Sequence, residues 1–592
     1  MLLAATLVTT TFLANPSLTI EQVAPEQAVI VASLDGLGDM IQRVMDSPSA
    51  EEFGDMEDMA MPMMDMMPEA FTDSWDESMK DKSMKDLASS MNMGMAVFPV
   101  IDQETTAVTI GMTMFFGLGD AAAPVSEMWD EAMKEYEEED DSFEWTELAG
   151  VEVAKIELGA DDAEEEDPFG GGGMGPMGMS ISDAAPDRMW VAKLDTHILA
   201  STSRTQMERM IDVLAGRDVE GGLAETEAWQ GISEYIGTDG IRLVMLTDHL
   251  GEMAKAMGQP FIVDMAKPMV VAMFGRVEAM GVSFTAGEAP LLAEFRMGAW
   301  IPEGKSGLMK LFDRNSPRES MPSWVSADTV SFGRMNFDTA GVIPWMKSVM
   351  NSNPMIAMQA GQMMDQMEPM MEKLMAGMGS RMDSATTVSY PLNAGSMSTM
   401  MVMEASDAKV FLGALAEYAP QMGMEPRDFQ GHQIYSMDMS GMAMMPGMPA
   451  ESMEMGVAVG GNQIFIGSMA GVEQALRSMG DKTNAGSSVA ADFEAMDSYF
   501  SGEPVSVWGV SKLGESMKAE AEIAMMQMKS QMAGLEEEDP ELAAELAEMF
   551  GDEEESDDSL TAMARLIGLM GYEVMSDDNG FKGHGWILPQ PE

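Results

Sequence analysis

The residue types that most often carry catalysis or bind metal ions are scarce in this chain. Its 592 residues include no cysteine, which excludes disulfides, thiolate metal sites and cysteine nucleophiles. It has four histidines, His197, His249, His432 and His584, and no two of them stand at a metal-ligand spacing. Zinc-hydrolase and histidine-base chemistry is therefore disfavoured, and we expect structural or solvent-exposed roles for these side chains.

One short segment has part of the pattern of a phosphate-binding loop. Residues Glu303–Ser306 follow a predicted strand and contain the dipeptide Gly304-Lys305. A phosphate loop needs a glycine five residues before Gly304, where this chain has Ala299, and the bulky Trp300 follows. We expect a plain turn between a strand and a helix here. No nucleophile elbow or dinucleotide fingerprint occurs, so the sequence predicts a protein that is not an enzyme and needs no cofactor.

The charge balance is strongly acidic. Lys and Arg number 33 against 99 Asp and Glu, which gives a formal net charge of −66. Such a field repels nucleic acid and anionic lipid, and it favours cations, basic partners or solubility in a saline, non-cytoplasmic medium. The acidic runs at 137–141, 161–167 and 536–558 lack the ligand spacing of a calcium loop, so we interpret them as solvated surface.

Methionine is the residue type that most exceeds ordinary usage, with 74 copies. Its thioether side chain fills irregular gaps and suits adaptable apolar surfaces. Methionines at 363–382 step by three or four residues, which predicts one stripe along a helix that Pro369 kinks or splits. Two interpretations remain open: methionine replaces leucine in an ordinary core, or the stripe is an exposed binding surface. The predicted surface consists of Met363, Met367, Met371, Met375, Met378 and Met382.

A copper-binding interpretation is the alternative for a second methionine-rich segment. Thioethers are soft ligands that select copper(I), and a methionine-rich segment could also buffer oxidants. The candidate metal ligands are Met437, Met439, Met442, Met444, Met445 and Met448.

Two similar segments indicate the elements that position these residues. Met189–Gly216 predicts two short strands, a tight turn and a helix that ends before Gly216. Met455–Gly480 repeats that order with a turn at Gly461-Asn462. His197 of the first segment aligns with Gln463 of the second, so a histidine site would exist in one copy only.

Six such blocks recur in the same order, which predicts an internal duplication. The first α+β repeat spans 25–325, and the second spans 326–592 with an acidic insertion at 535–558. Strands outnumber helices and mostly arrive in adjacent pairs. Each half is therefore expected to be an antiparallel sheet with helices packed on one face, plus methionine-rich helical excursions.

The N-terminal 24 residues are expected to be a signal peptide and linker. The apolar run at 2–14 is too short to span a bilayer and is typical of a secretory signal. No later segment reaches 18 uninterrupted apolar residues, so no transmembrane segment is expected in the mature chain. We expect a secreted or periplasmic location.

The strand at Pro25–Asp35 and the recurrent hairpin followed by a helix resemble a group of exported bacterial proteins that form a domain-of-unknown-function family. That resemblance implies export and a duplicated α+β fold, with no assigned activity. Together these features predict an acidic, exported binding or envelope-associated protein with flexible methionine-rich apolar surfaces. Its partner would be a protein or an apolar ligand, and a purely structural role remains the further alternative.

Overall fold

In its described residues the chain has an α+β fold built around one antiparallel sheet of 20 strands. The structure is a computed structural model. Within the described residues, no helix is both long enough and apolar enough to cross a membrane. The described residues, with a few single positions between 126 and 186, are 18–46, 92–101, 108–119, 143–157, 188–194, 196–217, 219–256, 260–352, 354–393, 395–438, 454–480, 493–538 and 564–590.

Ten strands come from the first part of the chain. They are β1 (Ile30–Leu34), β2 (Asn92–Ile101), β3 (Val108–Gly117), β4 (Phe143–Leu148), β5 (Val151–Glu157), β6 (Arg188–Leu194), β7 (His197–Ser201), β8 (Ile241–Leu246), β9 (Ala279–Ala286) and β10 (Ala293–Trp300).

Ten more strands follow in the second part. They are β11 (Thr329–Asn336), β12 (Met378–Val388), β13 (Met397–Ala405), β14 (Glu425–Phe429), β15 (His432–Asp438), β16 (Glu454–Gly460), β17 (Gln463–Ser468), β18 (Val507–Lys512), β19 (Ile567–Asp577) and β20 (Gly580–Pro589).

The main helices are spread along both parts. They are α1 (Ile20–Val23), α2 (Leu37–Met45), α3 (Arg204–Leu214), α4 (Glu227–Ile236), α5 (Leu250–Ala256), α6 (Pro260–Phe274), α7 (Gly307–Leu311), α8 (Val342–Asn351), α9 (Pro354–Ala376), α10 (Ala408–Tyr418), α11 (Met469–Gly480) and α12 (Leu513–Glu538).

The strand order of the sheet is the same when it is followed outward from its middle in either direction. Strands β10 and β20 pair at the middle. Outward from β10 the order is β9, β8, β1, β2, β3, β7, β6, β5 and β4. Outward from β20 it is β19, β18, β11, β12, β13, β17, β16, β15 and β14.

The two predicted hairpin–helix units form as expected. β6, β7 and α3 follow one another, Ser203 caps α3 by accepting a hydrogen bond from the Gln206 amide, and Gly216 has a φ of 68° after the helix. β16, β17 and α11 repeat that arrangement, with Gly461 at a φ of 60° in the turn. The short-range patterns therefore predict these units correctly.

Helices cover both faces of the sheet at the neighbouring strands β13 and β17. The prediction of helices on one face is therefore wrong there. Val402 lies in a core cluster with residues of α11, whereas its neighbour Met403 lies in a cluster with residues of α10. Phe465 and Ile464 divide between the same two clusters. Successive strand residues point to opposite faces, so α11 lies on one face and α10 on the other.

Several strands carry a glycine directly opposite an aromatic residue on the neighbouring strand. Phe295 on β10 faces Gly585 on β20, and Tyr572 on β19 lies between Gly585 and Gly509. A Cβ atom at Gly585 or Gly509 would overlap the facing ring. These glycines are therefore required by the close approach of the rings, which is why strands of this sheet tolerate a residue that ordinarily weakens them.

Two buried arginines lie within the sheet, each paired with carboxylates. Arg242 on β8 donates to Ser33 Oγ at 2.9 Å and contacts Glu21 and Asp35 at 3.2 and 3.4 Å. Arg334 on β11 faces Asp383 on β12 directly across the ladder and donates to both of its carboxylate oxygens, at 2.7 and 2.9 Å. Buried charges of this kind need such partners, because their desolvation is costly.

The turn after β10 joins the two parts of the sheet. As predicted, Glu303–Ser306 connects a strand to a helix, and Lys305 pairs with Asp313 at 3.0 Å. Asp313 also accepts hydrogen bonds from Lys310 and Ser576. Burial raises the pKa of Asp313, but the hydrogen bonds from Lys310, Ser576 and Lys305 outweigh it and hold this pKa well below its usual range.

Candidate functional site

The helix α8 has several large apolar side chains that are half-buried. None of its residues is fully buried. In α11, by contrast, Val472 and Leu476 are almost completely buried against the sheet. Half-buried apolar side chains keep some area in water that a partner can cover. The half-buried large apolar side chains of α8 are Val342, Ile343, Trp345, Met346, Val349 and Met350.

The neighbouring helix α6 has exposed apolar side chains of its own. In its described C-terminal half, Val270 is 47% exposed and Phe274 is 38% exposed. Trp345 of α8 donates its Nε1 hydrogen to the carbonyl oxygen of Met273 at 3.1 Å, which fixes α8 against α6. This hydrogen bond therefore holds α8 beside a helix that has exposed apolar side chains.

Five helices, each in contact with the next, form what we call the outer helical layer: α5, α6, α8, α9 and α10. α5 contacts β2, β3 and α6, and α6 contacts α8. α8 contacts α9, which in turn contacts β12 and α10. The layer is anchored to the sheet near its ends, through Met253 of α5 and through Leu374 of α9, which packs against the core cluster around Phe411.

A cleft of about 720 Å³ opens between α8 and α9, and we call it the helical cleft. This volume lies within the range of about 300–1,000 Å³ that ligand sites commonly have. One wall comes from the turn before α8 and from α8 itself, and the other comes from the C-terminal half of α9. The lining residues are Thr339, Ala340, Ile343, Pro344, Lys347, Ser348, Asn351, Glu368, Glu372, Met375 and Ala376.

Charged side chains line one side of the helical cleft. Lys347 of α8 forms an ion pair with Glu368 of α9. That hydrogen bond raises the pKa of the Lys347 ammonium, and the nearby Glu372 and Asp365 carboxylates add to the rise. Within the described residues, Asp365 and Glu372 make no ion pair of their own. The cleft therefore combines apolar lining residues, among them Ile343, Pro344 and Met375, with the carboxylates of Glu368 and Glu372.

A second cavity lies beneath Trp324 and is much smaller. Its volume is about 10 Å³, roughly that needed for one water molecule. Hydroxyl and amide side chains line it, among them Thr329, Ser398 and Gln474. It is too small for a substrate, so the helical cleft is the better candidate for a binding site.

The predicted methionine stripe is divided between two elements. Met363, Met367, Met371 and Met375 belong to α9; Met367 is 38% exposed and Met375 lines the helical cleft. The prediction of one helical stripe is wrong for Met378 and Met382, because α9 ends at Ala376 and both residues belong to β12. Their side chains pack against the core cluster around Phe411.

Pro369 does not divide α9, which is continuous from Pro354 to Ala376. An internal proline removes one backbone hydrogen bond and costs roughly 3 kcal/mol in a helix. Contacts on both sides of the proline offset that cost, since Met364 is buried before it and Leu374 packs against the core after it. Of the two predicted effects of Pro369, the split is therefore wrong, and the kink stays a prediction.

Only one of the candidate copper ligands can be placed. Met437 lies on β15 directly opposite Met455 on β16, and it packs against the core cluster that contains Tyr435. The other candidates, Met439, Met442, Met444, Met445 and Met448, lie outside the described residues.

The histidines belong to no metal-binding group in the described part of the chain. No group of three or more His, Asp or Glu side chains with metal-binding geometry occurs among the described residues. Burial lowers the pKa of His197, whose Nδ1 lies 3.0 Å from Thr196 Oγ1. His584 contacts Glu294 at 3.1 Å and lies 4.5 Å from the ring of Trp586.

Sequence reasoning did not single out α8 as part of a site. The run Val342–Met350 precedes the methionines at 363–382, on which the predicted binding surface was placed. The composition of α8 is a signal that the sequence contains. Most of its residues are apolar and they lie on all sides of the helix, so the helix needs either full burial or a partner.

The chain matches no protein-family model, and neither the curated proteins nor the solved structures contain a significant match to it.

Proposed function

We propose that this chain is an exported, non-enzymatic binding protein whose outer helical layer holds an apolar partner segment or another apolar ligand. The observation that carries the proposal is the apolar helix α8. None of its residues is fully buried, and it lies beside a cleft of about 720 Å³. Leaving several large apolar side chains partly in water forgoes about 25 cal/mol for each Å² that a partner could cover. Methionines on α9 add side chains that can adapt to ligands of different shape.

Binding of an environment-sensitive apolar dye tests this proposal. The purified chain should enhance the dye's fluorescence, and the Ile343→Ser and Met375→Ser variants should lower the dye's affinity by about threefold to tenfold, because each removes apolar area from the cleft.

Met526→Ser is the matched control, because Met526 is 38% exposed but lies on α12, away from the helical cleft. Equal losses in the control and in the two cleft variants would contradict the proposal. Circular dichroism of each variant verifies that the fold is retained.

We further propose that the fold arose by internal duplication. Its support is the sheet order, in which β1–β10 and β11–β20 follow the same sequence of neighbours outward from the β10–β20 pair. If so, a chain that ends near residue 325 should form a folded unit whose sheet amides are protected from hydrogen exchange. Complete exchange of the amides throughout that unit would count against separate ancestral folding units.

Export is proposed from the apolar run at 2–14 and stays independent of the binding site. Expression of the full-length gene in a bacterium, followed by mass measurement of the protein in the extracytoplasmic fraction, should give a chain shortened by about the length of a signal peptide. Retention of the intact chain in the cytoplasm would contradict this part.

Copper(I) buffering is the alternative proposal. The pairing of Met437 with Met455 brings two thioethers to the base of the methionine-rich segment at 439–453. Replacing Met439, Met442, Met444, Met445 and Met448 with leucine should then abolish copper(I) retention against a competing chelator. Wild-type protein that retains no copper under these conditions would dispose of the alternative.

A further inference from the structure

The α9 wall of the helical cleft carries Glu368 and Glu372, and Asp365 lies one turn before Glu368, outside the cleft lining. Asp365, Glu368 and Glu372 are three and four residues apart, so they lie along one face of α9. Among the described residues that line the cleft, Lys347 is the one cation, and Glu368 already pairs with it. Asp365 and Glu372 therefore leave a net negative charge beside the apolar lining residues.

The opposite wall has both polar and apolar lining residues, and the polar ones are Thr339, Lys347, Ser348 and Asn351. Ile343, Pro344 and Ala340 stand on the α8 side, and Met375 closes the cleft from the α9 side. α8 has 10 residues, so this wall is about 15 Å long. That length matches about three turns of a second helix lying along it.

We propose that the occupant of the helical cleft is a cationic amphipathic helix of a partner protein. This inference rests on the proposed function. The partner's apolar side chains, spaced as i, i+3, i+4 and i+7, would fill the space between Ile343 and Met375, and flanking Lys or Arg side chains would face Asp365 and Glu372. Methionine-containing grooves accommodate helices of this kind because thioether side chains adjust their rotamers at little cost.

The charge of the chain decides against a second copy as the occupant. With a formal net charge of −66, two copies repel each other at any approach of these carboxylates. The same field repels an anionic membrane surface and attracts a cationic segment, which raises its association rate. Charge complementarity therefore selects the cationic helix among the apolar ligands that the cleft could accept.

Three labelled peptides of about 14 residues test the inference by fluorescence anisotropy with the full chain. The first has a leucine face flanked by lysines, the second has the same leucine face flanked by glutamates, and the third keeps the lysines but replaces the leucines with serine. The lysine–leucine peptide should bind at least tenfold more tightly than either of the others. Equal binding of the lysine–leucine and glutamate–leucine peptides overturns the inference.

Variants separate the cleft from the general acidity of the surface. Ser348→Trp fills the cleft without a change in charge, and it should abolish binding of the lysine–leucine peptide. The double variant Asp365→Asn, Glu372→Gln should weaken that binding about fivefold. Its control, Glu425→Gln with Asp428→Asn, removes the same charge from the exposed strand β14 and should leave binding unchanged. Equal losses in the two double variants, or full binding by Ser348→Trp, overturn the inference.

The apolar dye distinguishes failure of this inference from failure of the proposed function. The Asp365→Asn, Glu372→Gln variant should bind the dye normally, because neither change removes apolar area. Normal dye binding that Ser348→Trp abolishes, without preference for the cationic peptide, would refute the helix and leave the apolar site standing. Dye binding that Ser348→Trp leaves unchanged would refute both.

Discussion

Removal of the Asp383 carboxylate should destabilise the chain more than any loss of a surface ion pair. Asp383 and Arg334 face each other across β12 and β11, and their side chains are only 2% and 4% exposed. The Asp383→Ala variant would leave the Arg334 guanidinium buried without its two-point partner. Breaking a buried pair in this way costs roughly 3–5 kcal/mol. We expect the lower end, about 3 kcal/mol, because Glu319 remains 3.2 Å from Arg334.

Urea denaturation followed by tryptophan fluorescence measures this loss as a shift of the transition midpoint. The control is Arg381→Ala, which removes the exposed pair between Arg381 and Glu319 and should cost less than about 1 kcal/mol. The double variant Arg334→Met, Asp383→Leu should recover most of the stability, because a well-packed apolar pair can replace a buried ion pair. If Asp383→Ala shifts the midpoint no further than Arg381→Ala, the reasoning about desolvation is refuted.

Three further outcomes are expected. Gly585→Ala should lower the free energy of unfolding by about 1–3 kcal/mol in thermal or urea unfolding, because the added methyl group meets the Phe295 ring. The added methyl group of Gly361→Ala in α9 meets nothing within 4 Å, so this variant should stabilise the helix by up to about 1 kcal/mol. The lowered pKa of Asp313 stabilises the fold above the ordinary aspartate pKa of about 3.9 and loses that effect as the pH falls toward the lower folded-state value. Asp313→Asn should therefore be less stable at pH 7 by about 1–3 kcal/mol and should approach the wild-type stability in urea titrations at low pH. Pro369→Ala should slow amide exchange in the middle of α9, because it restores one helical hydrogen bond.

Local patterns were enough to predict the hairpins, their turns and the helices that follow them. The units at 188–214 and 454–480 depend on turn glycines, caps and short-range periodicity, all of which are visible along the chain. The end of α9 was also visible, since Gly377 directly follows Ala376 where a helix commonly ends. The methionine spacing continued past that glycine by coincidence, and it led to the wrong assignment of Met378 and Met382.

Tertiary arrangement accounts for what could not be predicted. Which face of β13 receives α10 and which receives α11 depends on pairings between strands far apart in the chain, so periodicity within one strand cannot decide it. The helical cleft likewise requires that the α8 helix stand away from α9 at residues 368–376. An apolar helix in isolation is equally consistent with a core position, and only its placement in the outer helical layer leaves it partly exposed.

The way in which the outer helical layer is held has a consequence for binding. Met364 and Leu374 fix α9 on either side of Pro369, and the contact from Trp345 to Met273 fixes α8 against α6. The cleft between α8 and α9 is thus bordered by anchored helices, and its walls do not have to be ordered when a ligand enters. A preformed site avoids the ordering cost that a disordered binding segment incurs. Differences in affinity among apolar ligands should accordingly appear mainly in their dissociation rates, which stopped-flow displacement of the bound dye measures.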